Sequence, residues 1–361
     1  MIGEARRFLY LSTYYIEYDD YGAELIALLL EAQRRGVTVN LLIDGFGQRL
    51  GGVLMSSAVK ALLQDRLDEL RAAGAVVTVY RPRHAMQRHL GGGQHVKIQV
   101  SEQGEAIFGS SNVTRTSFEG WNEYSVALRG PVVRDLLESY RTIGGEVDPA
   151  HLSMLDRCAA GTRGDIDLDY WVCNPNLHQG RRGPLGWRGP NVLTERMIDM
   201  VNAARRRIEL TTFYFKPAPA LLDAMLAAAR RGVEIEIHHS HRDALPATDL
   251  AWIAAAAGYP RLLDAGVRIY ENRAGEHSKI VLVDDAWAAF GSYNFEDAAH
   301  DRLAEAMLAT RHPAAVDPAR EIFDLLRADP RNTPVGRGFR GDLPAGLRLR
   351  LALLGRFKRW M

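Results

Sequence analysis

The chain has 361 residues, 47% apolar and 25% charged, a globular balance that excludes a disordered or fibrous protein and allows two domains. Its formal charge of +1 hides an uneven distribution. From Arg331 to Met361 eight basic residues stand against one acid, Asp342, so this stretch carries +7 and everything before it −6.

No apolar run reaches the ~18–20 residues of a membrane-spanning helix, and the opening residues show no signal peptide. Two cysteines, Cys158 and Cys173, are too few for a disulfide framework, so a reducing compartment is expected. In chain order, LSTYYI (Leu11 to Ile16) reads as a strand and AELIALLLEAQRR as a helix. Next come the Arg-Arg-Gly-Val strand within Gln33 to Asp44, a second helical stretch, and a short strand within Ala72 to Tyr80. The order then recurs as LTTFYF (Leu210 to Phe215), ALLDAMLAAARR, ARRGVEIEIHHS (Ala229 to Ser240) and DAGVRIY (Asp264 to Tyr270). A helix with Thr194 as its cap candidate precedes the second LTTFYF-type strand, and no counterpart precedes the first. Strands alternating with helices predict α/β sandwich layers around a parallel or mixed sheet. Between the halves, residues 174 to 191 are rich in Gly and Pro, long for a connection, and expected to be functional or mobile.

After each short strand lies a closer repeat, His95 to Glu123 and His277 to Glu305. One shift superposes His95, Lys97, Gly109, Ser110, Asn112 and Glu123 on His277, Lys279, Gly291, Ser292, Asn294 and Glu305 without a gap. Apolar periodicity alone would not preserve those polar residues. Two copies meeting about a pseudo-two-fold axis bring two imidazoles, two ammonium groups and two amides around one point. Such a pocket suits a phosphate, with Lys97, Lys279, Asn112 and Asn294 stabilising the charge of a five-coordinate transition state. One imidazole attacks phosphorus and the other protonates the leaving oxygen, then takes a proton from the incoming alcohol or water. Glu123 and Glu305, each 28 residues beyond a histidine, are candidates to hold the rings, and Ser110 and Ser292 to bind substrate.

These residues resemble the phospholipase D superfamily, whose doubled signature is HxK-x-x-x-x-D followed by GSxN. The second copy matches fully through His277, Lys279, Asp284, Gly291, Ser292 and Asn294, while the first carries Glu102 in place of the aspartate. Within the superfamily, YYIEYDDYG (Tyr14 to Gly22), the strand ending at Asp44, and Asn122 with Glu123 are most similar to bacterial cardiolipin synthases. The Arg-Ser pair expected after the second GSxN is absent, and so is an N-terminal hydrophobic hairpin. The resemblance implies two pseudo-symmetric α/β/α sandwich domains with mixed sheets, spanning 1–165 and 166–330, with the site at their interface. It also implies phosphatidyl transfer through a phosphohistidine, with no metal or other cofactor. The first-motif histidine, His95, is usually the nucleophile in related enzymes, with His277 as acid and base, although the reverse assignment is open. Hydrolysis of phospholipids is the alternative, and a nuclease or a catalytically dead scaffold ranks lower.

His238, His239 and His241 end a strand without a nearby Cys and are expected to line the substrate mouth rather than bind metal. The tail, 331–361, places Leu347, Leu351, Leu354, Phe357 and Met361 on one helical side, interleaved with Arg and Lys. That composition predicts an anchor on an anionic membrane surface, and thus a cytoplasmic protein peripheral on the inner face of the cell membrane. The acidic body argues against a nucleic-acid partner.

Overall fold

The computed structural model describes residues 1–159, 164–177, 182–183, 186–187, 189–245 and 248–355. In the first half, β1 (Phe8–Thr13), β2 (Thr38–Asp44) and β3 (Val76–Tyr80) run parallel. The two-residue β4 (Gly93–Gln94) leaves this sheet. β5 (Lys97–Ser101), β6 (Glu105–Gly109) and β7 (Ser125–Arg129) then add antiparallel strands, giving the order β3-β2-β1-β5-β6-β7.

The chain crosses over through the helix Pro149–Ala159 and β8 (Asp169–Cys173), then a ribbon of β9 (Arg182–Gly183) and β10 (Gly186–Trp187). The first plan then returns as β11 (Arg207–Thr211), β12 (Glu234–Ser240), β13 (Arg268–Asn272), β14 (Ile280–Val283), β15 (Trp287–Gly291) and β16 (Leu303–Thr310). The short β17 (Asn332–Pro334) closes the outer edge. The order is β17-β13-β12-β11-β14-β15-β16-β4, with β8 also on β16. Each sheet is therefore mixed, with helices on its faces, as α/β layering requires. The Gly/Pro-rich residues expected to be mobile lie partly outside the described residues.

The repeated Arg-Arg-Gly-Val is a helix stop. Helix Asp20–Arg34 ends in Gly36 at φ +86°, and helix Pro219–Arg230 in Gly232 at φ +89°, a left-handed conformation that glycine adopts freely. The following valines close a Schellman-type cap, Val37 N–H to Ala32 O and Val233 N–H to Ala228 O, both at 3.1 Å. Each valine is buried and leads directly into a central strand. Helix Val192–Ala203 is capped by Asn191, whose side chain accepts from the N–H groups of Leu193 and Thr194. The expected cap, Thr194, instead spends its hydroxyl on Tyr293 and His300, each at 2.9 Å.

The halves share a core rather than merely touching. Ala304, Ala306 and Leu308 of β16 pack with Phe108, Val133, Leu136 and Leu137 of the first half. Parallel pairing of β4 with β16 adds backbone hydrogen bonds across the same boundary.

The tail departs from the expectation of a free anchor. Helix Ala345–Leu354 buries Leu347 and Leu351 in the second core, against helix Leu250–Ala256, and Arg350 clasps Asp249 with two contacts of 2.6 and 2.7 Å. Its apolar side gains more by excluding water against the body than by staying open. Residues 356–361, which carry Phe357, Met361 and three of the basic residues, lie outside the described residues.

Candidate active site

Both histidines stand just ahead of an antiparallel strand, on the loop that enters β5 or leads to β14, and both are pinned by the opposite half. His95 N–H donates to Ala304 O at 2.8 Å, and His277 N–H donates to Asn122 O at 2.9 Å. The residue after each acceptor is a glutamate, so the backbone bond carries that carboxylate to the ring. Nδ1 of His277 lies 2.8 Å from Glu123 Oε1. Nδ1 of His95 lies 3.1 Å from Ser292 O and 3.3 Å from Glu305 Oε2. With Nδ1 engaged in both rings, Nε2 is the nitrogen left for chemistry.

The glycine of each GSxN lets its strand lie close to the next strand of the same half, beside the residue that follows each glutamate. A Cβ at Gly109 would sit 2.5 Å from Tyr124 O, and one at Gly291 2.3 Å from Ala306 O. Only glycine lets those neighbouring strands approach so closely. Ser110 and Ser292, expected to touch substrate, donate their hydroxyls to Glu123 and Glu305 and are buried. These hydrogen bonds orient the two carboxylates. Lys97 Nζ donates to His95 O at 2.8 Å, and Lys279 Nζ donates to His277 O, which leaves further N–H donors on each ammonium. Asn112 and Asn294 are buried and line the cavity, and among the described residues Oδ1 of each has no hydrogen-bond partner. A half-turn of either amide presents Nδ2 there instead.

The two motif acids clamp the sheets from outside the site. Asp284 accepts from the N–H groups of Arg205, Arg206 and Arg207 at 2.8–2.9 Å, leading into β11. Glu102 accepts from Arg6 N–H at 2.7 Å and Phe8 N–H at 3.4 Å, at the start of β1. The longer side chain therefore makes the same kind of clamp.

His95, His277, Asn112 and Asn294 share one cavity of about 400 Å³. Its walls include Tyr14, Phe46, Leu54, Trp121, Phe213 and Leu250, a largely apolar surface suited to lipid chains. Three of these rings fix the imidazoles. Tyr14 meets His95 edge-on at 4.7 Å and 80°, Phe213 meets His277 at 4.7 Å and 76°, and Trp121 stacks on His277 at 4.8 Å and 24°. Sequence reading passed over them, yet Tyr14 and Phe213 hold the same place in LSTYYI and LTTFYF. Asp44 was also missed as a support. It accepts from Phe46, Gly47 and Gln94 N–H at 2.7–2.9 Å, fixing the residue before His95.

Electrostatically the pseudo-symmetry breaks. Burial, reinforced by Lys97 and Lys279, holds His95 well below the usual histidine value, so it is neutral at rest. Burial likewise depresses His277 to about 3, with Glu123 pulling the other way. Burial raises the Glu123 carboxyl, but His277, Ser110 and Lys279 outweigh it and keep the group ionised. Its counterpart differs: burial pushes Glu305 up to about 8 despite Lys97, Ser292 and Lys279. Lys279 itself falls to about 8, again through burial. Paired acids in such unequal surroundings can take unequal parts.

The histidine cluster at the end of β12 lies away from this cavity, contrary to expectation. His238 Nε2 is 2.8 Å from Glu236, and His239 Nε2 is 2.7 Å from Tyr259 Oη, both rings being fully buried. As successive strand residues they point to opposite faces of the second sheet, His238 towards Tyr270 and Phe323 and His239 towards Tyr259, and neither lines the cavity. His241 lines a separate cavity of about 230 Å³ with Trp252 and Glu271.

Comparison with known proteins agrees with this layout. The family described as cardiolipin synthase, PLD-like domain, matches residues 1–142 and 197–327. Cardiolipin synthase B of Escherichia coli (strain K12) is 29% identical over 313 residues, covering 82% of this chain and 68% of that protein. A cardiolipin synthase of Geobacillus kaustophilus is 28% identical over 308 residues, covering 81% of this chain and 56% of that protein. Among solved structures, the phosphatidylserine synthase of Haemophilus influenzae Rd KW20 aligns with 100% of this chain and 91% of its own at a TM-score of 0.73. Identity to it is 14%, so that likeness speaks for the fold alone.

Proposed function

Because the chain belongs to the cardiolipin synthase, PLD-like domain family, we propose that it is a phosphatidyltransferase joining two phospholipids through a phosphohistidine. The observation that carries this reading is the pair of imidazoles, each held through Nδ1 by the opposite half, in one apolar-walled cavity.

In the first step His95 Nε2 attacks the phosphorus of phosphatidylglycerol, whose glycerol leaves with a proton from His277. The Nδ1–H of His95 donates to Ser292 O, which fixes the tautomer a nucleophile needs. His277 suits the acid role, because ionised Glu123 at 2.8 Å stabilises the imidazolium once the substrate's anion adds its field. Lys97, Lys279 and the two asparagines offset the charge of the five-coordinate transition state. In the second step His277 takes the proton of an acceptor hydroxyl, whose oxygen displaces His95 from phosphorus. Phosphatidylglycerol as both donor and acceptor yields a dimeric lipid and free glycerol, and His95 emerges unchanged.

Both substrates reside in a bilayer, so the protein works at a membrane surface, and we place it on the cytoplasmic face. No helix among the described residues is long and apolar enough to cross a membrane. The C-terminal helix supports contact with an anionic surface: it lies on the helix whose first residues, Leu250 and Ala251, line the cavity, and it exposes Leu349 and Leu353. Incubating the full chain with phosphatidylglycerol vesicles and following the lipids by mass spectrometry tests the proposal. Dimeric lipid with released glycerol supports it, whereas phosphatidic acid alone marks a hydrolase.

A further inference from the structure

The transfer must accommodate two phosphates, and the histidine pair accounts for only one. An acceptor of the phosphatidylglycerol type carries its own phosphodiester, three carbons from the attacking hydroxyl, so that second anion has to enter the same cavity.

The cavity is not symmetric where it could hold one. Lys216 N–H donates to Phe295 O at 2.8 Å, and Glu17 N–H donates to Val113 O at 3.1 Å, so Lys216 and Glu17 occupy equivalent places in the two halves. The shift that superposes the motifs puts Glu296 opposite Thr114 and Arg302 opposite Gly120. The second half thus brings Lys216, Glu296 and Arg302 to the cavity, where the first half has Glu17, Thr114 and Gly120. None of Glu17, Thr114 and Gly120 lines it.

Arg302 is the informative member. It is 4% exposed and lines the cavity, yet among the described residues neither Nε nor Nη1 has a hydrogen-bond partner. Asp301 lies 3.4 Å from Nε, and Lys216 Nζ is 3.9 Å from Glu296 Oε2. These acids, with Asp297 beside them, anchor the cations without using up the guanidinium's donors. A buried guanidinium with unused N–H groups is costly unless a ligand completes it, and its planar fork matches two phosphate oxygens. Glu296 is an acceptor of hydroxyl protons in the same wall.

We propose that Arg302 and Lys216, with Glu296, form the acceptor subsite: the two cations take the acceptor's phosphodiester and the carboxylate takes a glycerol hydroxyl. This rests on the transferase reading and makes the enzyme select an anionic lipid alcohol over free glycerol or water.

One reaction mixture tests it. The full chain is incubated with phosphatidylglycerol micelles in the presence of deuterated glycerol. Dimeric lipid, labelled phosphatidylglycerol and phosphatidic acid, the three fates of one phosphoenzyme, are then quantified together. Arg302→Gln is expected to lower the ratio of dimeric to labelled lipid about tenfold or more. Lys216→Gln should move it in the same direction, and Arg302→Lys less far. An unchanged ratio in these variants overturns the subsite even if every rate falls, as a structural defect would make them fall. Wild-type protein that makes no dimeric lipid overturns the transferase reading and the subsite together. Wild-type dimer formation with an unmoved mutant ratio overturns the subsite alone. Should Arg302→Gln fail to fold, the Lys216→Gln and Arg302→Lys ratios decide.

Discussion

Glu123 holds His277 at 2.8 Å, although in sequence it follows His95, from the other motif, by 28 residues. Glu305 returns the exchange by lying against His95. Each half therefore lends its glutamate to the other's histidine, and neither half holds a complete site.

The exchange is equal in geometry and unequal in charge. Glu305, raised by burial to about 8, already carries a proton at pH 7, so Glu305→Gln replaces a neutral acid with a neutral amide. Glu123 is ionised there, and Glu123→Gln removes the charge that steadies the His277 imidazolium. At pH 7, Glu123→Gln should cost about 10²–10⁴ in kcat. Glu305→Gln should cost about tenfold or less. Equal losses in steady-state assays would contradict the asymmetry.

Removing the acid should trap the intermediate. In His277→Ala, one round of attack by His95 leaves a phosphatidyl adduct that no base helps to discharge. Intact-mass and peptide mass spectrometry of this variant should locate the adduct on His95, and His95→Ala should form none. An adduct on His277 in the His95 variant reverses the two roles.

Stability should peak in mildly acidic solution. Glu305 near 8, and Glu276 and Asp44 near 7, are raised by burial, so the folded chain keeps protons that the unfolded chain releases above about 4–4.5. Stability therefore falls as pH rises from about 5 to 8. His277 and His239, depressed by burial to about 3, stay neutral when folded while the unfolded chain protonates below about 6.5. That loss operates as pH falls from about 6.5 to 3. With three such carboxyls against two histidines the melting temperature should be highest near pH ~5. Glu276→Gln should flatten the alkaline decline. A melting temperature climbing steadily from pH 5 to 9 would refute this.

Asp284 supports the sheet, so its removal should register in stability before chemistry. Asp284→Ala abandons three backbone N–H groups and places alanine at φ +55°, for a cost of about 1–3 kcal/mol in chemical denaturation. Asp284→Asn should cost less, since asparagine tolerates that backbone and keeps one oxygen.

The docked tail makes a further distinction. Leu351→Ala should destabilise by about 2–4 kcal/mol, because the side chain is buried in the second core. Arg350→Gln should cost about 1 kcal/mol or less, since its pairing with Asp249 is half exposed to solvent. Equal effects in urea titrations would argue against this docking.

The sequence by itself determined the repeated architecture and picked out the histidines and asparagines that share one cavity. Alternating apolar runs, the Arg-Arg-Gly-Val helix stops and the gapless His, Lys, Gly, Ser, Asn and Glu pattern are local signals, carried by residues a few positions apart. Tertiary structure decided which glutamate serves which histidine, for those partners lie 154 and 210 residues apart. It also decided that the serines hydrogen-bond the glutamates, that Leu347 and Leu351 of the tail face the body, and that Arg302 lines the cavity with donors unpaired among the described residues. A repeat records equivalence between halves; it does not record how they cross. That crossing is set by packing β16 into the first half's core and pairing β4 with it, and charge asymmetry follows from the burial this packing imposes.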